Sequence, residues 1–136
     1  MRISSRAIII ENGKLLTMFR RKINNGKVKE YYVIPGGGME NGETKEENVI
    51  RELKEEMNVD IRVIKYLGKI ENNDRQDNYF LCKIINGTPH LGGEELEKNC
   101  EENYYMPVWI DLKDLDNADI AGKDLVKKCY NLLNYK

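Results

Sequence analysis

The segment Pro35-Gly36-Gly37-Gly38 constrains this chain more than any other. It follows Tyr31-Tyr32-Val33-Ile34, which reads as a short strand that Pro35 stops, because proline has no amide hydrogen to give to a ladder. It precedes Thr44 to Met57, a stretch without Gly or Pro in which Val49, Leu53 and Met57 recur every four positions with Ile50 beside them. That spacing predicts one helix with a single buried stripe. Asn58 stands where a helix commonly exits through a left-handed residue, and asparagine is the usual substitute for glycine there. Strand, glycine-rich loop and helix therefore adjoin, and such a loop brings backbone groups close to a ligand at a helix start.

The remaining pattern is mostly β. Arg2 to Ile10 and Lys14 to Phe19 flank Asn12-Gly13 and read as a hairpin. Arg20 to Lys29, basic and containing Gly and Asn, reads as a solvated loop. Ile61 to Ile70, Asn78 to Ile85 and Pro107 to Asp111 read as further strands, with turns at Asn72-Asn73-Asp74 and Asn86-Gly87. Lys123 to Tyr135 reads as a second helix with Leu125, Val126, Cys129, Leu132 and Leu133 on its apolar face. The order predicts an α/β fold, a mixed sheet with helices packed on it. At 136 residues, 40% of them apolar, the chain suits one domain over residues 1–136. Apolar runs of only a few residues predict neither a membrane span nor a secretory leader.

Chemistry is to be sought among the carboxylates. One histidine, His90, in a turn after Pro89, and three cysteines, Cys82, Cys100 and Cys129, without close ligand spacing, exclude histidine-rich metal sites and a disulfide framework. The cysteine usage predicts a reducing, cytoplasmic setting. A net charge of -1 leaves no global field for nucleic acid, so any anion site must be local. On the predicted helix Glu52, Glu55 and Glu56 stand at i, i+3 and i+4, on adjacent parts of a face opposite the apolar stripe. Three such carboxylates repel one another by a few tenths of a kcal/mol per pair, which a hard divalent cation, Mg²⁺ or Mn²⁺, would reverse. A solvated acidic face is the alternative.

Gly37, five residues, Glu43, seven residues, then Arg51-Glu52-Leu53-Lys54-Glu55-Glu56-Met57-Asn58-Val59 closely resembles the box of the Nudix hydrolases, with Asn58 where that pattern has Gly. The resemblance implies an α/β/α sandwich, a mixed sheet with helices on both faces, and hydrolysis of a nucleoside diphosphate linked to another group X. Carried over by position, it implies Glu52, Glu55 and Glu56 as ligands of Mg²⁺ or Mn²⁺, with the Gly36 carbonyl a further one. Glu43 and Arg51 resemble the family's structural pair, in which a guanidinium braces the loop against the helix. A general base comes either from Glu52 or from the acidic segment Gly92-Gly93-Glu94-Glu95-Leu96-Glu97, where Glu95 is the favoured residue.

Substrate contacts are less marked. Arg20 and Arg21 are candidates for a terminal phosphate or X, and Tyr31 and Tyr105 for stacking on a base. Tyr32, Tyr104 and Trp109 read as sheet packing or core. Markers of the ADP-ribose, dinucleoside polyphosphate, coenzyme A and NADH branches are missing or displaced, which leaves a small nucleotide such as a nucleoside triphosphate by elimination. A non-catalytic binding module on the same fold and an RNA 5′-end pyrophosphohydrolase are the alternatives. The charge balance disfavours an extended nucleic acid footprint, and a monomer or homodimer with a small-molecule nucleotide substrate is expected.

Overall fold

The computed structural model describes residues 1–134; Tyr135, Lys136 and the side chains of Glu94, Leu132, Leu133 and Asn134 lie outside the description. In chain order the elements are β1 (Arg2–Ile8), β2 (Ile10–Glu11), β3 (Lys14–Asn24), β4 (Lys27–Val33), β5 (Gly36–Gly38), α1 (Lys45–Met57), β6 (Asp60–Asn72), β7 (Arg75–Asn86), α2 (Gly93–Lys98), β8 (Asn103–Asp111), a 3-10 turn (Leu112–Asn117) and α3 (Lys123–Asn134).

Two sheets result. One runs β5-β1-β7-β6, with β1 and β7 parallel and the other pairs antiparallel. In the second, β3 lies between β4 and β8, and β2 pairs with its first residues. Alternation along β1 and β3 sends successive side chains to opposite faces. Ala7, Ile9, Leu16 and Met18 meet Val49, Leu53 and Met57 of α1 in one core. Ile8 and Leu15 join Ile34, Leu67 and Tyr79 against Val126 and Cys129 of α3 in the other. The fold is the mixed α/β arrangement expected, with helices on both sides.

α1 starts in a reciprocal capping box. The Thr44 hydroxyl accepts from the Glu47 amide, and the Glu47 carboxylate accepts from the Thr44 amide. It ends at Asn58 with φ 58° and ψ 36°, the left-handed exit read from the sequence.

Five expectations are corrected. Arg20 to Lys29 is no loop: β3 continues to Asn24 and turns through Asn25 and Gly26, at φ 53° and 77°, into β4. An Asn-Gly pair with both residues at positive φ is the turn that matches strand twist, so the signal read as a loop is a hairpin signal. The Asn12-Gly13 turn joins β3 to the two-residue β2 only, while β1 belongs to the other sheet. The glycine segment is a short strand, β5, antiparallel to β1, and the acidic segment forms the helical turns of α2. The second helix is described to Asn134, so the part of the expectation resting on Tyr135 and on the Leu132 and Leu133 side chains falls outside the described residues. Trp109 is only half-buried against the α1 core and also lines a surface groove.

Candidate active site

β5 supplies the floor of the site. Its three glycines pair with Ser4, Ser5 and Arg6, and two of them admit no side chain. A Cβ on Gly36, at φ 153°, would lie 2.1 Å from the Ser5 carbonyl oxygen, and one on Gly37 would lie 2.5 Å from the Glu52 carboxyl carbon. Glycine thus lets backbone and carboxylate touch. Asn48, fully buried on α1, ties helix to floor by donating to the Gly37 and Gly38 carbonyls at 3.2 and 3.1 Å. A polar residue on the inward side of the helix stripe was its only sequence signal.

Arg51 is the organising cation. It donates to both Glu43 oxygens, at 2.6 and 3.0 Å, to the Gly38 carbonyl at 2.9 Å, and to Glu52 and Glu55 at 3.2 and 3.1 Å. The bidentate bond from Arg51 holds the Glu43 carboxyl below its ordinary pKa, and the same bond, followed by the charges of its carboxylate neighbours, raises that of Arg51. Sequence reading paired Arg51 with Glu43; that the same guanidinium also spans Glu52 and Glu55 follows from helix spacing, which sets Glu55 four residues on.

The three helix glutamates have unequal surroundings. Glu55 is exposed and Glu52 half-buried, but Glu56 is 7% exposed, against the expectation that all three lie on a face opposite the apolar stripe. Position 56 adjoins Met57 on the turn that packs against β1, so the helix itself carries this carboxylate under the floor. Burial raises the Glu56 pKa well above the carboxylate range, the negative charges of Glu95 and Glu52 add to the rise, and Arg6 with the Gly36 amide opposes it. Burial likewise raises Glu52, partly offset by Arg51. Glu95 on α2 lines the same cavity as Glu52 and Glu55.

Above lies a cavity of about 610 Å³, lined by Gly36 to Gly38, Glu52 and Glu55 on the helix side and by Gly93 and Glu95 on the α2 side. A second cavity of about 310 Å³ shares Arg6 with it and is lined by Tyr32, Tyr79, Arg75, Asp77 and Asp119. Asp77 anchors Arg6 at 3.2 Å and accepts from the Ser4 hydroxyl, while Arg6 also donates to the Ile34 carbonyl at 2.9 Å. No sequence signal had marked this second cavity as one unit, because β1, β4, β7 and the segment before α3 build it together.

Among the described residues no three His, Cys, Asp or Glu side chains already close on one point as a finished metal cage does. The donor set nonetheless fits a hard divalent cation. All its atoms are oxygens, and burial disfavours the charged forms of Glu56 and Glu52, a cost that a cation beside them would offset.

The four expected substrate residues divide. The Arg20 guanidinium lies 3.7 Å over the Tyr105 ring and 5.9 Å from that of Tyr31, and donates to Asn103 at 2.7 Å. Arg21 falls on the opposite face of β3, over Tyr104 at 4.9 Å. Neighbouring strand residues point opposite ways, so Arg20 and Arg21 cannot serve one site together. The Arg20 cluster does not line the carboxylate cavity; α2 lies between, tied to α1 where the Gly92 amide meets the Glu56 carbonyl and to β8 where Asn99 accepts from the Tyr105 amide.

Asn58 does more than end the helix. Its side-chain amide donates to the His90 and Leu91 carbonyls at 3.2 and 3.5 Å, fixing the strap that leads to α2. Glycine could make the left-handed exit but not these bonds.

Comparison with known proteins places these features. The NUDIX domain model matches residues 1–129. An ADP-ribose pyrophosphatase of Methanocaldococcus jannaschii is 36% identical over 86 residues, 63% of this chain and half the length of that relative. A NUDIX-family hydrolase from Clostridium perfringens superposes with a TM-score of 0.71 at 17% identity, covering 97% of both chains. An ADP-ribose pyrophosphatase from Streptococcus suis superposes at 0.65 with 19% identity, covering 96% of this chain and 90% of that one. At such identities the two solved structures speak for the fold alone.

Proposed function

Because the chain belongs to the NUDIX domain family, we propose that it is, as one domain, a pyrophosphohydrolase that cleaves the diphosphate linkage of a small nucleotide, a nucleoside diphosphate joined to X. The observation that carries this reading is the carboxylate cluster of Glu52, Glu56 and Glu95 beside a glycine floor, crowded and buried enough to raise the pKa of Glu52 and Glu56. Such a cluster costs folding energy unless a cation occupies it, and a diphosphate is the ligand that brings cations with it.

Glu52, Glu55 and Glu56, with the Gly36 carbonyl, would hold Mg²⁺ or Mn²⁺, which when bound withdraws charge from the diphosphate and lowers the pKa of an attacking water. The chain's own residues do the rest. Arg51 and Glu43 hold the helix and the Gly38 carbonyl in one geometry, so the floor is set before substrate arrives. Glu95 stands across from the helix carboxylates and takes the proton of the attacking water, with Glu52 as the other base within the cluster. The diphosphate lies over Gly36 to Gly38, and the nucleoside enters the adjoining cavity between Tyr32, Tyr79 and Asp119.

The M. jannaschii relative supports a nucleoside diphosphate sugar as one substrate to try, and nucleoside triphosphates are the other. The test is a panel of both, with Mg²⁺, Mn²⁺ or chelator, reading nucleoside monophosphate, phosphate and pyrophosphate. Metal-dependent release of a nucleoside monophosphate is expected from at least one class. Tight nucleotide binding without release in either metal would make the chain a binding module instead.

A further inference from the structure

The glycine floor separates two kinds of charge. A Cβ on Gly37 would meet the Glu52 carboxylate, whereas one on Gly38 would lie 3.9 Å from Nε and Nη2 of Arg2, and one on Gly36 would lie 2.9 Å from Cγ of Arg6. Neighbouring strand residues point to opposite faces, so Glu52 lies against one face of β5 and the two arginines against the other. Arg2, Ser4 and Arg6 alternate along β1 onto that second face, and β7 sets Arg75, Asp77 and Tyr79 beside them in register. Arg2 next to Arg75 puts like charges on adjacent strands about 4.8 Å apart, an arrangement that destabilises a sheet.

One carboxylate serves these three arginines. Asp77 pairs with Arg6 at 3.2 Å and with Arg75 at 3.4 Å, while Arg2 forms no ion pair among the described residues. Asp119, the other carboxylate of the cavity between Tyr32 and Tyr79, pairs with none of them. Arg51, the remaining arginine beside the floor, is committed to Glu43, Glu52 and Glu55.

Arg6 is the most constrained of the three. It is 9% exposed, its Nε donates to Asp77 and its Nη1 to the Ile34 carbonyl, and its Nη2 has no hydrogen-bond partner among the described residues. Arg6 lines both cavities, so Nη2 is the donor left for a group that passes from one to the other. A guanidinium held by its other nitrogens keeps its planar fork in one orientation, as recognition of phosphate oxygens requires.

We propose that Arg6, flanked by Arg2 and Arg75, holds the phosphate attached to the nucleoside, at the crossing between the two cavities. The proposal rests on the pyrophosphohydrolase reading, in which the nucleoside lies between Tyr32 and Tyr79 and the diphosphate over Gly36 to Gly38. Three arginines and Asp77 leave an excess of two positive charges. They meet a group that carries about one negative charge within the diphosphate and about two once released as a monophosphate. The grip therefore tightens on cleavage, and the nucleoside monophosphate competes with substrate.

Binding is measured in chelator, without turnover, at about 0.15 M salt, where exposed charges more than about 8 Å away are largely screened. The probes are adenosine, guanosine, cytidine and uridine 5′-monophosphates and the four parent nucleosides. The variant is R2Q/R75Q, with a melting curve confirming the fold; Arg6 stays in place, since its loss would strand Asp77. One face of the β3–β4 hairpin supplies the control. It carries Arg20, Lys22, Lys27 and Lys29, with Lys22 directly opposite Lys29, and its three lysines are exposed, form no ion pair among the described residues and line neither cavity. The wild type is expected to bind at least one monophosphate about tenfold or more tighter than its nucleoside, and R2Q/R75Q to weaken that monophosphate by about tenfold without changing the nucleoside. K22Q/K27Q/K29Q removes more charge and should change neither. Unchanged binding in R2Q/R75Q, an equal loss in the hairpin variant or for the nucleoside, or no binding of any monophosphate overturns the proposal. Arginine-dependent binding in a chain that hydrolyses nothing in either metal would remove the pyrophosphohydrolase reading and leave the phosphate site standing.

Discussion

The helix end of the molecule and the basic hairpin are both strongly charged, and they are built in opposite ways. At α1 one arginine is shared among three carboxylates and a backbone carbonyl, so position is fixed although negative charge remains in excess. On the hairpin face four cations share no carboxylate, and rigidity comes from the ladder beneath them. The difference teaches that a carboxylate cluster must be assembled by tertiary bonds, because its members repel and must be held. Cations can instead be spaced along a strand, where the backbone already sets the distance.

The largest effect should come from Glu56→Gln. It keeps shape and removes a buried charge, so kcat in Mg²⁺ should fall by about a thousandfold. The melting temperature should stay equal or rise, because the lost carboxylate is one that burial disfavours. Wild-type turnover in this variant would remove the helix end from the chemistry. Next, Arg51→Ala should cost about 3 kcal/mol in denaturant unfolding, since it strands the Glu43 carboxylate in a partly buried site. Lys29→Ala on the hairpin should lie within about 0.5 kcal/mol of wild type, as exposed substitutions do. Equal costs would break the comparison.

Acid should act at one end only. The Glu43 carboxyl is held below its ordinary value near 4.3, so its stabilisation is complete above that pH and is lost as pH falls through the lower, folded value. Glu43→Gln should therefore cost about 2 kcal/mol at pH 7, and the difference from wild type should shrink on acidification below pH 4. K22Q/K27Q/K29Q removes no partner of a carboxylate among the described residues, so it should show no such convergence.

The smallest effect compares two left-handed asparagines. Asn58→Val should cost about 1–2 kcal/mol for the backbone conformation alone, and Asn25→Val at the hairpin turn about the same. Asn58→Gly spares the backbone but gives up the bonds to His90 and Leu91, for about 1 kcal/mol, whereas Asn25→Gly should be near neutral. Thermal unfolding of the four variants resolves these steps.

The helix end was the more legible region in the sequence. Stripe, left-handed exit and the spacing from Gly37 to Glu56 are local, and local pattern survives being read along a line. What failed there was exposure: Glu56 lies one residue from the stripe, and only packing on β1 decides which side of that boundary it takes. The hairpin failed for a different reason. Lysine, asparagine and glycine in a row describe a solvated loop and an Asn-Gly hairpin equally well, and until β3 is known to reach Asn24 nothing separates Arg20 from Arg21. The two-sheet arrangement and the cavity beside Arg6 were illegible because they join strands from distant parts of the chain.

The parallel pairing of β1 with β7 has a consequence for the order of assembly. Ser4 and Asp77 are 73 residues apart, so closing that contact carries a large loop-entropy cost, whereas α1 and the β3–β4 hairpin are local and form without it. The glycine floor hangs from β1, and β1 has no neighbour on its other edge until β7 arrives. During synthesis, a chain that has emerged only as far as β6 holds every helix carboxylate and most of its cations, but no surface against which to hold a substrate. Docking of the seventh strand thus fixes the floor, and the cavity is walled only when α2, the next element, follows it.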